Sequence, residues 1–231
     1  MASGSSQQIS RVAVGAVVLL AALGADATRV LHAARPVVVA FADRAAEIEL
    51  TDGDLVFRRG RDLVSRLVLS QGDAPRFSHV GVSVRIGGST FVIHAVPADG
   101  ASPGGVVLEP LARFAASTGA VDLGAYRVRG LTPVARAKVR DYALRQVGKP
   151  FDDAFSMRDD QRMYCTELVL KALTAGGVEI TPTVPSLRVP LLAEPVVPPD
   201  HLRLSPLLEP LVPRAGIQST LAAPAATIAH R

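Results

Sequence analysis

From Val80 to Val96 the chain alternates apolar and polar residues with a period of two, which predicts β-strands with one buried face. Gly87-Gly88 interrupts the alternation and is a favoured two-residue hairpin loop. That turn pairs Ile86 with Ser89, Val84 with Phe91, Val82 with Ile93 and Val80 with Ala95, so the valines, Phe91, Ile93 and Ala95 share one apolar face. The opposite face carries His79, Gly81 and Ser83 beside Val96, His94 and Val92. A slip of one residue would scatter the apolar set over both faces, so the register has an internal check. His79 and His94 become diagonal neighbours with Cα atoms about 7–8 Å apart, and His94 sits opposite the bare Gly81.

Elsewhere the period changes. Cys165, Leu168, Val169, Ala172 and Leu173 recur at helical spacing and predict an amphipathic helix closed by Gly176-Gly177. A second helix follows Thr132, a capping residue, with Pro133 at its first position and Gly148 and Pro150 as the stop. "TDGD" predicts a turn and "DLVF" and "AYRVR" predict strands. Residues 28–50 read as a helical lead-in broken at Pro36. From Thr181 proline recurs every few residues, which argues for a tail running extended over the surface. A lead helix, antiparallel strands and two later helices make an α+β domain. The expected division is an N-terminal segment 1–27, the lead-in 28–50, a domain 51–205 and a Pro/Ala-rich tail 206–231.

Composition narrows the chemistry. The 231 residues include 48% apolar residues but no tryptophan, so Val, Leu and Ala build the core. The net charge of +4 comes from arginines spread along the chain, without basic runs or interleaved aromatics, which argues against a nucleic-acid partner. Arg11 precedes the apolar run "VAVGAVVLLAAL", and a small-x-small site follows at Ala25-Asp26-Ala27. That order predicts a signal peptide or membrane anchor, hence export to the periplasm or cell envelope and membrane association through this segment. Cys165 is the only cysteine, so there is no disulfide framework and no CxxC zinc site.

A cysteine on an apolar helical stripe is usually a small packing residue. The polar run "FDDAFSMRDDQR" upstream, however, places Cys165 in the first turn of its helix, where unpaired N–H groups favour a thiolate and lower its pKa. Were the helix to pack on the polar face of the hairpin, thiol, imidazole and a third polar group would meet, the minimum for nucleophilic catalysis. Glu167 is expected to support the helix N-terminus and Asp54 to shape a turn.

The segments "DGDLVF", "SHVGVSV", "FVIHAV" with "GVVLEPLARF", and "YCTELVLKAL" resemble the permuted papain-like NlpC/P60 hydrolases, closest to the YiiX/YaeF-like amidases, over most of residues 50–205. The resemblance implies a small antiparallel sheet or partial barrel packed against the cysteine helix. It also implies that this helix lies against the histidine face of the hairpin, with Cys165 as nucleophile, His79 as general base and His94 as the third polar residue, where the family often carries glutamate. Tyr164 could add a hydroxyl to the site, as an oxyanion or substrate contact, or simply pack. The implied reaction is amide or peptide cleavage through a thioester, with no cofactor and no metal, on a substrate that could include cell-wall peptides. The second histidine also resembles the lecithin retinol acyltransferase-like branch, which makes a lipid-directed thioesterase or acyltransferase the alternative. A zinc site built from the two histidines and Cys165, and a non-catalytic envelope binding domain, are the remaining readings.

Overall fold

The computed structural model describes residues 48–61, 65, 69, 75–116, 118–181, 194 and 196–212, all within one compact unit. The expected N-terminal segment, nearly all of the lead-in and the last residues of the tail lie outside them. Among the described residues no helix is long and apolar enough to cross a membrane.

Six strands form one antiparallel sheet: β1 (Leu55–Gly60), β2 (His79–Ile86), β3 (Ser89–Val96), β4 (Gly105–Pro110), β5 (Ala120–Val128) and β6 (Leu208–Leu211). Their spatial order is β4-β3-β2-β1-β5-β6. Helices α1 (Leu111–Phe114), α2 (Pro133–Gln146), α3 (Cys165–Ala175) and α4 (Pro199–Arg203) complete the described elements. The hairpin has the register its alternation predicts, with Ile86 opposite Ser89, Val84 opposite Phe91 and Val82 opposite Ile93. Gly87 and Gly88 both adopt positive φ, 57° and 84°, as a two-residue turn of matching twist requires.

The apolar face of the hairpin, Val80, Val82, Val84, Ile93 and Ala95, is fully buried against Leu168, Val169, Ala172 and Leu173 of α3 and Val139 and Ala143 of α2. Each such Val, Ile or Leu contributes about 1.5–3 kcal/mol, so this contact dominates the fold. Helix α2 has its expected cap, the Thr132 hydroxyl accepting from the Ala135 N–H at 3.2 Å. On the opposite face of the sheet a smaller core gathers Val56, Val92, Leu111, Phe114, Ala115 and Ala125.

This arrangement corrects one expectation. Helix α3 packs on the apolar face of the hairpin, not on the face that carries the histidines. The reason is energetic: an apolar stripe gains most by covering valines, whereas covering ring nitrogens would leave polar groups unpaired. The histidines are covered from the other side, by Phe114.

The tail also departs from a purely surface course. Pro199 opens α4, and β6 pairs with β5 at the sheet edge with Pro210 in it, positions where proline is tolerated. The folded unit therefore runs past the boundary expected at residue 205. Asp200 of α4 accepts hydrogen bonds from the backbone N–H groups of Arg76 and of Phe77, the latter at 2.8 Å, and so ties the tail to the entry of β2. Asp54 does shape its turn. Fully buried, it accepts from the Thr51 N–H at 2.9 Å and binds Arg127 at 2.7 Å and Arg136 at 3.0 Å.

Candidate active site

Cys165 occupies the first position of α3, after Tyr164 in extended conformation as the N-cap. Glu167, fully buried, accepts from the Tyr164 backbone N–H at 3.2 Å and is held by Lys171 at 2.7 Å, so it supports the helix start as expected. The Cys165 Sγ lies 3.8 Å from Thr166 Oγ1. Backbone N–H groups of Val80, Thr166 and Cys165 itself also favour its thiolate. The Val80 amide is the informative one, because it belongs to the residue that follows His79. Helix α3 thus delivers the thiol to the start of β2.

The expected lowering of the thiol pKa is overturned. Desolvation by the surrounding protein pushes it above the ordinary value, and the Thr166 hydroxyl and the three N–H groups offset this only in part. Cys165 nevertheless keeps some solvent exposure.

His79 and His94 meet as the register predicts. His79 Nε2 lies 2.9 Å from His94 Nδ1, with the rings edge to face at 81°. They are not surface residues, being 8% and 1% exposed. Phe114 of α1 lies against both rings, its centroid 4.9 Å from His94 and 6.0 Å from His79. Arg58, opposite His79 in the β1–β2 register, stacks over Phe114 at 4.6 Å. Burial, then Arg58, then His94 depress the His79 pKa well below the usual imidazole value. Burial also lowers His94, with Arg58 adding to it and a carboxylate partner opposing.

That carboxylate is Glu109 of β4, whose Oε2 lies 3.0 Å from His94 Nε2. Arg113 holds its other oxygen at 3.1 Å. Partial burial acts to raise the Glu109 pKa, but His94, Arg58 and Arg113 together hold it below the usual carboxylate range. Glu109 and Arg58 were not candidates from sequence. "GVVLEP" was the available signal: read as a strand beside β3 it places Glu109 opposite Val92, diagonal to His94 on the histidine face. Tyr164 is 1% exposed, packs against Phe155 and donates its hydroxyl to Met157 Sδ at 3.2 Å.

An antiparallel sheet whose adjacent strands carry a hydrogen-bonded histidine pair, packed against a helix that begins at a cysteine, is the arrangement of the permuted papain-like fold. The family model described as the permuted papain-like amidase enzyme, YaeF/YiiX, C92 family, matches residues 49–197, and the chain belongs to that family. It is 32% identical over 123 residues to the uncharacterized protein YiiX of Escherichia coli strain K12. That match covers 52% of this chain and 55% of the relative, so the chain spans about half the length of the curated relative it matches. A crystal structure described as metalloprotein YiiX from Escherichia coli O157:H7 superimposes with a TM-score of 0.58 at 26% identity, covering 71% of this chain and 97% of that one.

The metal in that description is said of that protein. Among the described residues of this chain no three His, Cys, Asp or Glu side chains are grouped to hold an ion. Both His94 nitrogens and His79 Nε2 are engaged in the hydrogen-bonded chain. That leaves His79 Nδ1 and the thiol, fewer than the three protein ligands a catalytic zinc retains, so among the described residues these donors do not fit a catalytic zinc.

Proposed function

We propose that this protein is a cysteine amidase or peptidase in which Cys165 forms a thioester with the acyl part of its substrate and His79 is the general base. The observation that carries the reading is the thiol at the first helical position, beside the amide of the residue that follows the His79–His94 pair.

With the thiol pKa raised and that of His79 depressed, the resting pair is neutral thiol and neutral imidazole. Catalysis then proceeds by general base: His79 takes the Cys165 proton as sulfur attacks the carbonyl carbon. The oxyanion accepts a hydrogen bond from the Cys165 backbone N–H, which has no partner within the helix at that position. As the C–N bond breaks, the imidazolium gives its proton to the departing amine and leaves a thioester. His79 next deprotonates a water that attacks the thioester, and returns that proton to the sulfur as the acid is released.

The substrate is an amide or peptide, with cell-wall peptides a member of the class. Export by the N-terminal segment would place the reaction in the cell envelope. A lipid-directed thioesterase or acyltransferase is the second reading. It is favoured by Phe155, held at φ 52° against the Tyr164 ring, and by Met157, both apolar and on the chain leading to Cys165. The test is turnover of a panel of peptide amides and acyl thioesters by the wild type and Cys165→Ala. Cleavage of amides that disappears in Cys165→Ala supports the amidase. Cleavage of thioesters alone favours the second reading, and equal rates in both proteins reject both.

A further inference from the structure

We infer that Glu109 is the terminal positioning residue of the site, an acceptor-only carboxylate that sets the ring tautomers of His94 and His79 in series. The inference deepens the reading above, since it specifies which nitrogen of His79 is left to act on the thiol. The network itself can be measured whether or not Cys165 turns over a substrate.

His79, Glu109 and His94 lie on one face of three adjacent strands, and each hydrogen bond steps diagonally from one strand to the next. An ionised carboxylate has no proton to offer, so His94 Nε2 must be the donor in the 3.0 Å contact with Glu109. A neutral imidazole carries one N–H, which leaves His94 Nδ1 as an acceptor. Its 2.9 Å partner, His79 Nε2, must therefore be a donor. The same rule applied to a neutral His79 leaves Nδ1 with its lone pair. One carboxylate on an edge strand thus decides, two rings away, which nitrogen is the base.

The charged and titratable groups around the chain act in opposite senses. Arg58 of β1 lowers both histidines, and Arg113 of α1 holds Glu109 in place. When His79 takes the Cys165 proton, it becomes a cation in a buried site that already holds Arg58. Glu109 is the opposing charge, transmitted through His94. This chain has histidine at position 94, and Glu109 supplies the carboxylate one hydrogen bond further out.

The experiment is imidazole ¹⁵N NMR of the histidine-labelled protein near pH 7, with iodoacetamide alkylation of Cys165 measured in parallel. In the wild type His79 and His94 are each expected as a single Nε2–H tautomer. Glu109→Leu fills the space without an acceptor, and both rings should become mixtures that include the Nδ1–H form. Cys165 alkylation at fixed pH should fall by about tenfold, the equivalent of one pKa unit at the base. Glu109→Asp keeps an acceptor-only group and should restore the single tautomers and most of the rate. A wild type with His94 in the Nδ1–H form overturns the inference. So does a folded Glu109→Leu protein with both tautomers and the alkylation rate unchanged. Tautomers that shift as described in a protein whose Cys165 forms no acyl adduct would reject the amidase reading and leave this inference standing.

Discussion

Replacing Gly81 by alanine tests the geometry that brings the two histidines together. A Cβ at this position would lie 2.5 Å from Val92 Cγ1, 2.9 Å from the Ile93 carbonyl oxygen and 3.0 Å from His94 Cβ. Ordinary carbon contacts lie at about 3.5–4.0 Å. Val92 and His94 are buried and the carbonyl is backbone, so β2 and β3 must part. Overpacking of this kind costs about 1–3 kcal/mol. Gly81 is not among the positive-φ residues, so alanine adds no dihedral strain and recovers about 0.5–1 kcal/mol by restricting the unfolded chain. The net loss is about 0–2.5 kcal/mol, up to roughly 10 °C in Tm for a domain of this size, so the histidine signals carry the decisive readout. Because His94 Cβ is one of the contacts, the His79–His94 hydrogen bond should lengthen and the imidazole ¹⁵N shifts of both rings should move. Gly87→Ala is the control. Its Cβ would meet nothing within 4 Å, but φ is 57°, so it should lose about 1–2 kcal/mol with both histidine signals in place. The reasoning is refuted if Gly81→Ala melts like the wild type with unshifted histidines, or if Gly87→Ala disturbs them as much.

Other outcomes follow from the same structure. The pH midpoint for alkylation of Cys165 should lie above that of an unhindered thiol, because desolvation outweighs the helix N-terminus; a midpoint well below it would mean a resting ion pair with His79. The neutral form of His79 is favoured in the folded state, so the unfolded chain binds its proton first as pH falls. Stability should therefore be full above about pH 6.5 and decline as acid approaches the depressed folded pKa, a slope that urea titrations should find reduced in His79→Gln. Asp200→Ala should leave the Arg76 and Phe77 amides short of their acceptor and cost about 1–3 kcal/mol, read as a lower urea midpoint; no change would mean that the tail does not anchor β2. Dialysis against a chelator should leave the Cys165 alkylation rate and Tm unchanged, whereas a loss of either would show a bound metal and overturn that reading of the donors.

The hairpin was legible from sequence because two constraints agree there: a period of two and a glycine pair that permits only one tight turn. Cys165 and its helix were legible for a similar reason, an apolar period bounded by a polar run and a glycine stop. The resemblance then linked the two elements, which their periods alone do not do. What stayed hidden depends on long-range pairing. Glu109 has no local mark, since its role comes from a strand alignment across the Pro97–Gly104 loop. The face on which α3 packs is not legible, because a thiol can approach an imidazole around the end of a strand as well as through one face of the sheet. In the structure the thiol reaches the start of β2 at Val80 from the opposite face. The raised thiol pKa is not legible either, because helix position is visible in a sequence and burial of a single atom is not. The short strand β6 sits in a proline-rich stretch, where composition shows only that a central strand is excluded.

The central claim, that Cys165 is a nucleophile served by His79, is tested most directly by intact-mass spectrometry after a brief exposure to a p-nitrophenyl ester or an acyl thioester. The account predicts one acyl adduct, mapped to Cys165, formed rapidly by the wild type, slowly by His79→Ala and not at all by Cys165→Ala. Absence of the adduct in the wild type, or its equally rapid formation in His79→Ala, would contradict it.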